Sequence, residues 1–487
     1  MRKTMPIVLT LLFACGNSKA QFTSLAPKAL NGQPGLAGCA AAAPQVPGTG
    51  QGSFGGEGPV PFGSGEQPLL RFAGDNGPQN VLTFDLNDST GYDDHVYGTN
   101  QSTYGDFFTG VGADLAFFTA RKHLTVSLDY MPSFFIYRRD SNADNFNQAL
   151  GFRAALELSR RFQLSVRDNG SDYSYGLFGN GPQLVPGLGP PGGAILYSIN
   201  PRTRTVTDTS RLDLLFTKSE RTVIDVFGAF NVLTFGGASH NMQAVTGGLS
   251  YSYRASRRGA FSATYTYGNS LFQENGPATS SGSTQGGSRF ATQGLFLSYA
   301  YQISKTTSVS FFGGPERTHV RETLVELIPL PPIGIAQLIV PVRRFEWNWS
   351  AGGGVTTTTH NTAISLTASR AVSNGGGLLT AVNSDFGSLG IARRLPHGWQ
   401  WSSSLNYGLS RALAFGGLLS GTFNTETGQV SLSRKLGEHL SFAIDYQHQR
   451  QRLGGGSNLG VADLDRNRAS VRFDWEVKKI AVGRSRL

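Results

Sequence analysis

The feature that most constrains this chain is the strict two-residue alternation from Val245 to Tyr267, VTGGLSYSYRASRRGAFSATYTY. Val245, Gly247, Leu249, Tyr251 and Tyr253 alternate with Thr246, Gly248, Ser250, Ser252 and Arg254. After a tight Ser256-Arg257-Arg258-Gly259 turn, Phe261, Ala263, Tyr265 and Tyr267 alternate with Ser262, Thr264 and Thr266. Successive side chains of a strand point to opposite faces, so this is a hairpin with one apolar and one polar face. A buried sandwich face would be built of bulky Leu, Ile and Val. Here Gly and Ala mix with aromatics set near the strand ends, the pattern of a lipid-facing strand whose polar face lines a wet lumen.

The alternation recurs from Asn80 to Val477. Leu124, Val126, Leu128 and Tyr130 stand against Thr125, Ser127 and Asp129, and Ala469, Val471, Phe473, Trp475 and Val477 against Ser470, Arg472, Asp474 and Glu476. Turns near 120, 160, 219, 257, 304, 359, 396 and 437 are short and charged, while the connections between them are longer on average and rich in Gly, Asn, Ser and Pro. Outer-membrane barrels have short periplasmic turns and long external loops. The fold class predicted is therefore all-β, a transmembrane antiparallel up-and-down β-barrel. Eighteen strands result when Asn80 to Asn87 is counted as the first, with sixteen as the alternative. The reading expects Tyr92-Asp93-Asp94-His95, Gly170 to Arg204 and a Pro-rich Val320 to Val340 to be external loops.

No run of about 18 apolar residues occurs, so no membrane-spanning helix is predicted. A mean hydropathy of −0.18 does not argue against a barrel, because only alternate residues meet lipid. The start Met1-Arg2-Lys3, the apolar run Ile7 to Ala14 and Ser18-Lys19-Ala20 predict a signal peptide over residues 1–20. Leu12-Phe13-Ala14-Cys15 offers a lipoprotein box as the alternative. Cleavage after Ala20 leaves Cys39 as the single cysteine and rules out an intramolecular disulfide. Residues 21–79 are rich in Gly and Pro and read as a disordered periplasmic segment. Residues 80–477 form the barrel and 478–487 a basic periplasmic tail. The expected location is the cell outer membrane. Its lipid and lipopolysaccharide are the expected partners, nucleic acid is not one, and the oligomeric state is open.

The stretch Tyr92-Asp93-Asp94-His95 after an entering strand, the strand Phe162-Gln163-Leu164-Ser165-Val166-Arg167-Asp168 and the hairpin rhythm resemble outer-membrane β-barrel proteins of the exopolysaccharide-operon type. The resemblance covers Asn80 to Val477. It implies a porin-sized barrel, passage of a secreted polysaccharide, and polysaccharide export machinery as a partner. The chain departs from ordinary barrels by ending in Lys478 to Leu487 rather than on a terminal aromatic.

Barrel size gives an independent reason for conduction, since 16 to 18 strands leave an aqueous channel. The alternation turns Arg153, Arg167, Arg211, Arg254, Arg344 and Arg472 inward, together with Asp129, Asp213, Asp225, Glu346, Asp445, Asp474 and Glu476. Asp213 and Glu346 lie two residues from Arg211 and Arg344, close enough to pair. That pairing leaves Arg153, Arg167 and Arg254 uncompensated and predicts a preference for anionic or polyhydroxyl solutes, or for export of a polysaccharide. The alternative is a structural or surface-display barrel. Catalysis has a thin signal: Asp93 and Asp94 beside His95 could orient a base at an external rim. No phosphate loop, nucleophile elbow or metal motif is present, so no enzyme, catalytic residue, metal or cofactor is predicted.

Overall fold

The computed structural model describes residues 79–96, 104–173, 204–235, 240–274, 288–330, 334–375, 379–413, 422–454, 464–477 and 480–481. The expected signal peptide, lipoprotein box and Gly/Pro-rich segment lie outside them, apart from Gln79 at the end of that segment. The strands are β1 Gln79–Asp93, β2 Asp106–Ala120, β3 Leu124–Tyr137, β4 Asn145–Glu157, β5 Phe162–Tyr173, β6 Thr205–Ser219, β7 Thr222–Phe235, β8 His240–Arg254 and β9 Gly259–Glu274. They continue as β10 Ser288–Gln302, β11 Thr307–Leu330, β12 Gly334–Thr358, β13 Thr362–Gly375, β14 Leu379–Arg394, β15 Trp399–Ala412, β16 Thr422–Lys435, β17 Leu440–Gly454, β18 Leu464–Glu476 and the two-residue β19 Ile480–Ala481.

Each strand from β1 to β17 pairs antiparallel with the next, and the ring closes where Asp85 to Asp93 of β1 meets Glu476 to Arg468 of β18. The fold is thus a closed, up-and-down barrel of eighteen strands. β19 pairs with Val81 and Leu82 of β1, so part of the expected C-terminal tail continues the sheet. Closure pairs the wall strands on both sides over most of their length, which a sheet in lipid requires because bare N–H and C=O groups have no water there.

The distribution of apolar side chains is the inverse of a soluble core. Leu249 is 49% exposed on the outside, whereas Ser250 is 8% exposed on the inside and its hydroxyl lies 2.9 Å from that of Thr264. Aromatic contacts collect near both strand ends, with Phe162 stacked on Phe216 at 4.8 Å and Tyr299 tilted against Phe311 at 5.5 Å near the short turns and Tyr92 edge-on to Phe107 at 5.1 Å near the other end. A closed sheet with this apolar outer surface resides in the outer membrane.

Two expected loops are strand instead, and a third, Gly170 to Arg204, begins as strand through Tyr173, while 174–203 lie outside the described residues. Tyr92 and Asp93 belong to β1, which runs six residues past the Asn87 end expected from the alternation. Val320 to Val340 is mostly a hairpin, because β11 and β12 pair without interruption from Thr307↔Thr357 to Leu330↔Gly334. Prolines at 329 and 341 fit because there the ladder has left the wall and each strand has one unpaired side, and Pro315 falls where the β10–β11 ladder is interrupted between Gly313 and Glu316. β12 pairs with β13 only through Ala351 to Thr358; beyond that point it pairs with β11 alone. At the point of divergence Glu316, buried, accepts the Ser350 hydroxyl at 2.7 Å and the backbone N–H of Val372. A lumen-side apolar cluster that includes Phe272, Phe290, Val320 and Val372 packs beside it.

Candidate functional site

The lumen wall has two chemically different halves. On β8 to β10 and β13 to β16 the inward positions are mostly Ser, Thr, Gly and Ala, with a few aromatics. Many of the hydroxyls bond to each other: Ser262 to Ser298 at 2.5 Å and Ser384 to Ser410 at 3.0 Å. On β17, β18 and β1 to β7 the inward positions include the charged side chains, among them Asp85, Asp114, Asp129, Arg153, Arg167, Arg211, Asp213, Asp225, Asp445 and Arg472.

Within the charged half, register builds a row that no single strand contains. Arg153 of β4 stands directly opposite Arg167 of β5, and Arg167 opposite Arg211 of β6, all on the inner face. Three guanidinium groups on adjacent strands repel, and acids placed around them offset that. Asp213, nearly buried, accepts from Arg211 Nε at 2.7 Å and Arg167 Nη2 at 3.2 Å, and Asp225 lies 3.7 Å from Arg211. Arg153 feels the charge of Asp129. Phe227 lies over Gly248, where a Cβ would come within 2.3 Å of its ring, and offers its face to Arg211 at 4.5 Å. The small residue on β8 thus lets an aromatic on β7 hold the arginine of β6.

Next to this row lies an acidic one. Asp85 of β1 stands opposite both Asp114 of β2 and Glu476 of β18. Arg472 lies 3.8 Å from Asp445 and 3.2 Å from Asp474. The expected pairs of Arg211 with Asp213 and Arg344 with Glu346 are both present, the latter at 2.5 Å. The expectation that Arg167 stands uncompensated is overturned, because Asp213 reaches across the strands to it as well as along its own. Arg153 and Arg254 have partners too. Arg254 sits at the short-turn end of β8. Arg344 is not in the main wall, because it lies on the part of β12 that has left β13.

Alternation alone could have shown that Asp85 and Asp114 face inward. What it could not show is the group at the external end of the closing seam. Arg466, 3% exposed, donates through Nε to Asp93, 0% exposed, at 2.9 Å and again through Nη2. The Asn467 backbone N–H and side-chain amide each donate to Asp94 at 2.7 Å. Arg468 lies over Phe108 at 3.8 Å and Phe135 at 5.0 Å. Burial alone would raise the Asp94 pKa, but the two bonds from Asn467 and the adjacent His95, 2.9 Å away, hold it below the ordinary carboxylate value. Asp93, Asp94 and His95 thus act as a clasp between β1 and β18. At the short turns His123 lies 3.6 Å from Glu157, and His397 takes a left-handed φ of 61° beside Gly398 at 78°.

No family model matches this chain, and no curated protein matches it. Among solved structures it is similar to Pseudomonas aeruginosa OccK2 (OpdF), with 11% identity over 81% of this chain and 98% of that one, at a TM-score of 0.42. The glucuronate complex of the same OccK2 matches at 11% over 82% and 98%, with a TM-score of 0.40. Pseudomonas aeruginosa OpdL matches at 15% over 82% and 99%, with a TM-score of 0.39. At this level of likeness the function has to be argued from the chain itself.

Proposed function

We propose that the barrel is a water-filled channel for polyhydroxyl solutes that carry a carboxylate, such as sugar acids. The observation that carries the reading is the row Arg153, Arg167, Arg211 facing a half-wall of hydroxyls. A guanidinium receives a carboxylate through two parallel hydrogen bonds, and Ser and Thr exchange bonds with sugar hydroxyls without fixing their order. The row is already compensated by acids, so an entering carboxylate exchanges with Asp213 rather than filling a bare charge. That favours a weak, rapidly released contact, which conduction needs. Export of a polysaccharide belongs to the same chemistry, since a polymer of sugar acids presents the same groups in series.

The full chain inserted in planar bilayers should conduct. Hexuronate should cause brief current blocks that a neutral hexose does not, and Arg167→Gln with Arg211→Gln should remove the difference. A non-conducting barrel would favour the structural or surface-display reading. Blocks from an acidic polysaccharide fragment but not from the monomer would favour export.

A further inference from the structure

The outer face of the β11–β12 hairpin carries a feature that a channel does not need. Arg317, His319 and Arg321 of β11 point outward, and Arg321 stands directly opposite Arg343 of β12. Like charges in direct cross-strand register destabilise a sheet. Among the residues whose side chains are described, no carboxylate makes an ion pair with Arg317, Arg321 or Arg343. His319 stacks flat on Phe345 at 4.1 Å, and the Arg317 guanidinium lies over the same ring at 5.0 Å. Just below on this face are Trp347 and Trp349, 72% and 71% exposed. Trp marks the depth where acyl chains give way to headgroups.

The height of the cluster agrees with that depth. Arg321 stands ten residues beyond Phe311 on the same outward face. With a rise of about 3.3 Å and a tilt of about 40°, that is roughly 25 Å along the membrane normal, the height of a barrel's apolar band. Arg317 starts lower, and its position over Phe345, which opposes His319, carries its charge toward the external end, as a snorkelling side chain does.

We propose that Arg317, Arg321 and Arg343 hold the phosphate groups of an outer-leaflet glycolipid, with Trp347 and Trp349 packed against its acyl chains. A phosphate between Arg321 and Arg343 turns a repulsive pair into two charge-assisted bonds. The proposal rests on the outer-membrane placement but not on the channel reading, and its readout is lipid binding rather than current.

The test is native mass spectrometry of the full-length protein in detergent with bisphosphorylated lipid A, the same lipid A dephosphorylated, and inorganic phosphate. Wild type should prefer the phosphorylated lipid. Arg317→Gln/Arg321→Gln/Arg343→Gln should weaken it by about a hundredfold, each arginine contributing on the order of fivefold near an anionic headgroup. Arg450→Gln, on the outer face of β17 beside Glu426 at 3.9 Å, should leave it unchanged. If the triple variant fails to fold, Arg321→Gln alone, which relieves the like-charge pair, should fold and lose part of the preference. Equal binding of both lipids, or an unaltered preference in Arg321→Gln, overturns the proposal. Saturation by inorganic phosphate at the same concentration would also overturn it, pointing to a free-anion site.

Discussion

At the scale of single residues, Leu249 and Ser250 are neighbours in sequence that meet different solvents. Leu249→Arg puts a charge into lipid at a cost of about 2 to 4 kcal/mol if it lies near the midplane. Ser250→Arg puts the same charge into the lumen, where Asp225 stands directly opposite. Refolding yield read by heat-modified gel mobility should fall for Leu249→Arg and stay near wild type for Ser250→Arg. Equal losses would mean that the faces are wrongly assigned. The face of each residue was readable because strand geometry alone fixes it. Its partners were not: Asp213 was expected beside Arg211 two positions away, but its contact with Arg167 depends on how β5 and β6 align.

At the scale of elements, the telling strands are β11 and β12, which run 24 and 25 residues where most others run 12 to 16. Pro329, Pro331 and Pro332 read as a loop because Pro cannot donate to a ladder, yet Pro329 is strand, while the other two lie outside the described residues. That rule is relaxed where the hairpin has left its second neighbour and one side of each strand needs no partner. Glu316 is the residue that manages this departure, receiving the Ser350 hydroxyl and the Val372 N–H in place of a strand. Glu316→Ala leaves both donors unpaired at a cost of about 1 to 3 kcal/mol, while Glu316→Gln keeps an acceptor. Urea unfolding from detergent should rank wild type, then Gln, then Ala. An Ala variant as stable as wild type would show that the seam is held by its apolar neighbours alone.

At the scale of the whole molecule, one seam joins the two ends of the chain, and Asp94 latches it by accepting from Asn467 across 373 positions of sequence. Its folded pKa is lowered, so the unfolded chain takes up the proton first as the pH drops. The latch is therefore at full strength above the ordinary aspartate value of about 3.9 and fades as the pH falls through the lower folded value. Hydrogen exchange of β1 and β18 amides, corrected for intrinsic rates, should be flat from pH 8 to 5 and quicken only below about 3.9. Asp94→Asn should abolish that acid step. Loss of protection between pH 7 and 5 would assign the latch to another group.

By itself the sequence determined the alternation, and with it the barrel class, the short turns and the identity of most inward charges, while the choice of eighteen strands over sixteen came with the closing pair β1–β18. These follow from local geometry, because a two-residue period and a turn are properties of neighbouring residues. The tertiary structure decided what depends on register and closure. It set three arginines side by side on β4 to β6, made a clasp of Asp93 and Arg466, and drew β12 away from β13. A shift of the ladder by two residues keeps every side chain on its face yet changes which ones touch, so alternation carries no information about it.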